Sequence, residues 1–316
     1  MHIPDGFLDA RTAIAATAIS AAGLAVAMPR LRQQLPPRKV PLLGLTAAFV
    51  FAAQMLNFPV GGGTSGHLVG TVLVAALLGP AAACVVLTAV LVVQCFLFAD
   101  GGVTALGANI FNMGLLAAVG GALSYRAIRR VFPGQRGMVV AAAFAGWISI
   151  VLAAIACAGQ LALSGTTSWK VAFPAMTAVH MVVGLGEGLI TALVLIALAR
   201  VRPDLLPDSL PLPGDGDFKT FAGLGLIVVA GLAVFVAPFA SPLPDGLDRV
   251  AALLGFQPAD GAQSPFPAPL PDYAPPGWTS PIVATATAGA LGTIVVFGLS
   301  WMLGRLLVPS ATVDRT

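Results

Sequence analysis

Nine apolar stretches, separated by short polar or glycine- and proline-rich breaks, divide the chain: residues 12–28, 40–57, 66–79, 81–99, 103–125, 139–163, 172–199, 219–239 and 281–304. Most reach the ~20 residues a helix needs to cross the hydrocarbon core of a bilayer. Only Gly79-Pro80 separates the third from the fourth, which predicts two helices with a tight turn rather than one long broken helix. The pattern predicts an all-α, polytopic membrane helical bundle of about nine transmembrane helices, seven followed by two.

Composition supports that reading. Hydrophobic residues make up 58% of the chain and charged residues 9%, against about 25% charged in an ordinary soluble domain. The mean hydropathy is +0.93. The 36 glycines suit a bundle whose helix backbones approach closely. A net charge of +3, with the basic residues in short loops, excludes the basic footprint of a nucleic-acid partner. Cys84, Cys95 and Cys157 fall in apolar runs without CxxC spacing and read as small packing residues.

Charge predicts the orientation. Arg30, Arg32, Arg38 and Lys39 follow the first stretch, and Arg126, Arg129, Arg130 and Arg136 the fifth. Arg200 and Arg202 follow the seventh, Lys219 opens the eighth and Arg305 follows the ninth. Nine crossings with the N-terminus outside put all of these in the cytoplasm, together with the C-terminus, as the positive-inside rule requires. Residues 58–66, 99–102, 165–171 and 240–280 then lie outside. The lipid bilayer of the cell membrane is the expected setting, with several passes.

After Val201 the composition shifts. Four prolines and four aspartates within 202–217 read as a cytoplasmic linker. The expected division is 1–202, a first membrane unit; 203–218, the linker; and 219–316, a two-span unit with an outside loop at 240–280. The amphipathic piece 247–256 of that loop is expected to lie on the surface of the first bundle.

The chemistry concentrates at the start, Met1-His2-Ile3-Pro4-Asp5-Gly6-Phe7-Leu8. A terminal amine, the next backbone nitrogen and the His2 imidazole can close two fused chelate rings around one metal ion. An α-amine ordinarily titrates near 8 and an imidazole near 6.5, so both lose protons near neutral pH. The backbone nitrogen yields its proton only to a strongly polarising ion. That points to late first-row ions in planar, nitrogen-rich sites, nickel and copper first, with cobalt beside nickel in the affinity order. Asp5 and Asp9 come early and no basic leader precedes an apolar stretch, so no cleavable signal peptide is expected.

His67 follows the glycine-rich loop Gly61-Gly62-Gly63-Thr64-Ser65-Gly66 on the same outer side as His2, and can supply a fourth nitrogen. His180 and Glu187 lie seven apart on one helix face. Ionisable groups inside a membrane usually face a pathway or the bundle interior. They read either as groups orienting a metal-bound histidine or as a packing pair. Gln54, Asn57, Gln94, Asn109 and Asn112 are buried amides by pattern. Gln54, Asn109 and Asn112 share the two readings, support around the site or helix–helix hydrogen bonding, and Asn109 and Asn112 are spaced to share a face.

Four blocks in order resemble one family: MHIPDGFL at the start, residues 51–70 (FAAQMLNFPVGGGTSGHLVG), 100–113 (DGGVTALGANIFNM) and 180–191 (HMVVGLGEGLIT). They are similar to the CbiM/NikM family, the metal-capture membrane components of energy-coupling factor transporters for nickel and cobalt. Residues 219–304 resemble the small two-span partner of the same systems, with Pro244-Asp245-Gly246-Leu247 matching its PDGL-type motif. The resemblance implies a natural fusion and metal ligation by Met1, His2 and His67. It implies an N-terminal segment that enters the bundle core and a fused partner that helps load the metal. Ni2+, or Co2+ as the alternative, is the transported ligand, and no permanently bound cofactor is implied. A coupling membrane subunit and ABC-type ATPase subunits are implied as separate chains. The chain itself has no GxxxxGK[ST] loop, so it is not expected to be an enzyme. A stand-alone proton-coupled metal carrier using His180 and Glu187 is the competing reading. A membrane metalloenzyme lacks any HExxH signature.

Overall fold

The computed structural model describes residues 1–206, 218–256 and 264–308. Most of the expected linker (207–217), part of the expected outside loop (257–263) and the tail 309–316 lie outside the described residues. The helices are α1 (Ala10–Gln34), α2 (Val40–Gln54), α3 (Thr71–Leu78), α4 (Pro80–Phe98), α5 (Leu106–Asn109), α6 (Ala117–Val131), α7 (Gly134–Leu163), α8 (Trp169–Val201), α9 (Phe218–Phe235), α10 (Gly246–Leu254) and α11 (Pro281–Leu307). A π-helical turn, Ile110–Leu116, joins α5 to α6.

Each of the nine apolar stretches contains a helix, but seven helical segments among the described residues have the length and composition to cross a bilayer. The other two are α2 with 15 residues and α3 with 8. At 1.5 Å per residue α3 covers only about 12 Å. The break at Gly79-Pro80 is present, with Gly79 at φ +89° and Pro80 opening α4.

Small residues set the helix contacts. Gly146 and Gly188 cross face to face between α7 and α8, where a Cβ on Gly188 would sit 2.3 Å from the Ala143 carbonyl oxygen. Only a bare backbone permits that approach. Leu42, Leu45, Ala48 and Ala52 of α2 form an apolar cluster with Phe218, Ala222, Val229 and Ala233 of α9. Phe51 of α2 packs where Gly292 of α11 leaves room. The second unit is thus seated on α2, and its loop reaches across one end of the first.

The two ends of the bundle differ. Lys39, Gly79, Pro80, Arg126, Arg129 and Arg130 line a cleft at one end. The N-terminal arm, residues 1–9, turns inward at the other. Met1, Ile3 and Phe7 are buried, and Asp9 caps α1 by accepting from the Thr12 N–H at 2.9 Å.

Candidate metal centre

Local backbone chemistry carries His67 inward. Phe58–Gly61 and Thr64–Gly66 form a two-stranded antiparallel hairpin, β1 and β2. Gly61, Gly62 and Gly63 all take positive φ at its tip, the region L side chains avoid. The chain then descends through His67, Leu68 and Val69 to a left-handed Gly70 that starts α3. Two buried side chains fix this descent. Glu187 accepts from the Val69 and Gly70 N–H groups at 2.6 and 2.9 Å, and the Gln54 amide donates to the Val69 carbonyl at 3.0 Å. Glu187 and Gln54 therefore position the backbone that follows His67.

Hydrogen bonds rather than ion pairs anchor the N-terminal arm at residues 3–5. Asn109 accepts from the Ile3 N–H at 2.8 Å and donates to the Ile3 carbonyl at 3.1 Å. The Gly102 N–H donates to the same carbonyl at 2.8 Å. Asp5 accepts from the Val103 and Thr104 N–H groups and the Thr104 hydroxyl. A Cβ on Gly102 would fall 2.3 Å from the Asp5 nitrogen, so glycine is required for this seat.

The result brings the predicted nitrogens together. The Met1 amine lies 3.0 Å from His67 Nε2. The His2 and His67 rings stack with centroids 5.3 Å apart and 16° between planes. His2 Nδ1 faces Asp100 Oδ1 at 3.1 Å, while its Nε2 is buried without a well-formed hydrogen bond. Burial pulls the His2 imidazole below its ordinary pKa, against the upward pull of Asp100. The ring is therefore neutral at pH 7.

Residues from the second unit complete the shell. Asp245 caps α10 by accepting from the Asp248 N–H at 2.9 Å, and its other oxygen takes the terminal ammonium at 2.7 Å. Burial alone would raise this carboxyl; the ammonium and the Asp248 N–H outweigh it and hold Asp245 well below the usual carboxylate range. Leu247, Val250 and Ala251 of α10 are buried, and α10 packs against α8. The piece 247–256 thus lies against the first bundle by this one face, while Leu253 and Leu254 on its other face are exposed. Its approach is fixed by Ser65, whose N–H donates to the Pro244 carbonyl at 2.9 Å and whose hydroxyl donates to the Leu243 carbonyl at 2.7 Å.

Of the other expected residues, His180 reaches the edge of the site. Its Nδ1 pairs with the Met176 carbonyl at 2.8 Å, as a helical imidazole does. Its other edge abuts Gly246, where a Cβ would lie 2.7 Å from Nε2. Met1, His67, His180 and Asp245 line one cavity of about 10 Å³, room for about one water. Asn112 turns away and exchanges two hydrogen bonds with Gln160, at 2.8 and 2.9 Å. It shares no face with Asn109, because the π turn between them spreads residues three apart around the axis. Asp245, Asp100, Gln94 and Tyr273 surround the site, and sequence reasoning gave none of them a role in it. The aspartate of the PDGL motif and the acid in the outer 99–102 segment were the available signals.

The arrangement is a buried nitrogen cluster at one end of a polytopic membrane helical bundle. Comparison with known proteins places it. The family model described as cobalt uptake substrate-specific transmembrane region (CbiM) matches residues 2–205, and the PDGLE domain matches residues 219–309. The chain belongs to the CbiM family and is a nickel/cobalt transport component of the CbiM/NikM type. A putative fused nickel transport protein, NikMN, of Archaeoglobus fulgidus is 40% identical over 96% of this chain and 98% of its own length. The fused nickel transport protein NikMN of Rhodobacter capsulatus is 32% identical over 87% and 89%. A crystal structure described as a transition metal transporter superposes with a TM-score of 0.59 at 33% identity, covering 70% of this chain and 98% of that one.

Proposed function

We propose that this chain is the substrate-capture component of an ATP-driven energy-coupling factor importer, taking Ni2+ from the outer side, with Co2+ as the chemically closest alternative. The terminal amine 3.0 Å from His67 Nε2, with the His2 ring stacked on His67, carries this reading. The ligands are the Met1 amine, the His2 backbone nitrogen and Nδ1, and His67 Nε2. Nδ1 is the ring nitrogen that closes a six-membered ring with the His2 backbone nitrogen. Four nitrogens in a plane favour nickel, and oxygen-preferring magnesium and calcium are rejected by ligand type. Nickel is preferred because the fused relatives are described as nickel transport proteins.

Residues 1–202 form the capture unit, 203–218 the linker and 219–316 the partner unit. Nine crossings follow if α2 spans and if the descent 64–70 plus α3 makes one crossing; the N-terminus is then outside and the basic cleft cytoplasmic. Energy comes from a coupling membrane subunit and ABC-type ATPase subunits on separate chains. Glu187 spends both oxygens on backbone N–H groups, which weighs against a proton-coupling role.

Nickel K-edge absorption of the loaded chain tests the site, and a planar four-nitrogen spectrum is expected. A six-oxygen octahedral spectrum contradicts it. Vesicles holding this chain with its partner subunits should accumulate nickel only with ATP. Uptake by the chain alone, driven by a pH gradient, overturns the importer reading in favour of a carrier.

A further inference from the structure

The second unit touches the nitrogen cluster at a point distant from Asp245. The Tyr273 hydroxyl donates to Asp100 Oδ2 at 2.6 Å, and Asp100 Oδ1 faces His2 Nδ1 at 3.1 Å. A continuous chain of polar contacts thus runs from the outer loop to an imidazole 271 positions earlier in sequence.

Tyr273 is built in rather than resting on a surface. Its ring stacks on Phe98 with centroids 4.6 Å apart and packs at a tilt on Phe51. The Leu270 N–H donates to the Leu97 carbonyl at 2.9 Å and ties the loop to the end of α4. Asp272 and Tyr273 both sit in the left-handed region, at φ +52° and +58°. Two consecutive non-glycine residues there are costly and persist only where the surroundings over-determine them, as at ligand sites.

Two buried polar atoms beside this chain lack a well-formed hydrogen bond, His2 Nε2 and Gln94 Oε1, although the Gln94 amide lies close enough to His2 to interact with it. The Gln94 amide nitrogen already donates to the Tyr273 oxygen at 3.4 Å. Buried polar groups are nearly always satisfied, so orphans on facing residues point to a second arrangement in which they are used. The chelate supplies one. It needs Nδ1 bare and aimed at the ion, whereas here Nδ1 is directed at Asp100. Turning the ring and moving its one proton from Nδ1 to Nε2 sends a bare Nδ1 to the ion and leaves an N–H on the far side that needs an acceptor. Metal-bound histidines regularly give that N–H to a carboxylate.

We propose that Tyr273 is a positioning residue for the His2 imidazole, acting through Asp100. It anchors the carboxylate that accepts from Nδ1–H in the empty chain and accepts a hydrogen bond from Nε2–H, with Gln94 Oε1 alongside, when Nδ1 is on the metal. Fusion of the two units therefore tunes the chelate itself, in addition to covering it. The proposal rests on the chelate reading above.

The test is nickel titration of the full chain, with Tyr273→Phe, Asp100→Asn and the double variant beside His67→Ala. Tyr273→Phe keeps the ring stacking and removes only the hydroxyl. Loss of affinity by about tenfold to a hundredfold is expected for Asp100→Asn, the range typical of such outer partners, and at the lower end of it for Tyr273→Phe. The double variant should bind no worse than Asp100→Asn alone, and the nickel d–d band should shift in both single variants; the melting temperature of the empty chain, read alongside, separates that shift from the stability lost with the hydrogen bond. Unchanged affinity and band in Tyr273→Phe, or fully additive losses in the double variant, overturn the positioning role. Retained stoichiometric binding in His67→Ala instead overturns the underlying chelate, so the two failures are distinguishable.

Discussion

The first five residues are held in two chemically different ways. Ile3 and Asp5 are fixed by the Asn109 side chain and by backbone N–H groups of residues 102–104, all within the first unit. Met1 and His2 are held by two carboxylates, Asp245 and Asp100, and one of those comes from the second unit. The hydrogen bonds to Ile3 and Asp5 occupy no atom that a metal needs. The carboxylate contacts occupy the amine and Nδ1, two of the nitrogens the proposed chelate requires. The contrast teaches how one short arm serves two demands: a permanent seat at residues 3–5, and exchangeable partners on the two ligand-bearing residues. On the proposed chelate, an incoming cation would compete with Asp245 for the amine.

Breaking the ligands should have the largest effect. His67→Ala should abolish stoichiometric nickel binding, a loss of at least about a thousandfold, because a planar set lacks its fourth nitrogen. The bundle should remain folded, which the melting temperature in detergent checks.

Loosening the seat comes next. Asn109→Ala strands the buried Ile3 N–H and should cost about 2 kcal/mol of stability, with nickel affinity falling with it. Gly102→Ala should act on affinity more than on stability, since its Cβ displaces the arm at Asp5. Calorimetry of the empty chain alongside nickel titration separates the two quantities.

The exchangeable contact should reveal itself through pH. The depressed Asp245 carboxyl stays ionised from neutral pH downward, and its contribution is lost only as pH falls through its lowered value. Over the working range it therefore stays paired with the terminal amine and competes with an incoming cation for it. Nickel affinity should weaken from pH 8 to pH 6, with protons released on binding. Asp245→Asn should remove that competitor and raise nickel affinity at fixed pH, as nickel titration of wild type and variant would show. Unchanged affinity would mean that Asp245 does not govern the amine.

The smallest effect marks the boundary of the site. Asn112→Ala breaks the reciprocal pair with Gln160 and should lower stability while nickel affinity stays within about twofold. A loss comparable to that of Asn109→Ala would place the α7 contact inside the metal centre.

Much of this was legible in the chain. The apolar stretches marked every membrane helix, and Gly79-Pro80 marked the α3–α4 break. His2 and His67 were singled out from the N-terminal sequence and the glycine-rich loop, and the structure stacks their rings; their ligation of metal belongs to the proposal. The short lengths of α2 and α3 were hidden, because hydropathy does not show that residues 64–70 descend as extended chain. Glu187 and Gln54 were recognised as buried polar groups, but their partners are backbone atoms of residues 69 and 70, which no side-chain pattern encodes. Asn109 and Asn112 diverge because of a π turn that spacing counted at 3.6 residues per turn does not anticipate. The PDGL aspartate was visible as a motif member. Its place on the Met1 amine depends on a contact between residues 1 and 245, which no local period records.

The most direct test of the central claim is nickel affinity of the native chain beside a variant with one alanine inserted between Met1 and His2. The insertion keeps every side chain and enlarges the chelate by one peptide unit. One tightly held ion in the native chain and none in the variant is the result expected. Equal binding by both would contradict the terminal chelate and put the metal elsewhere.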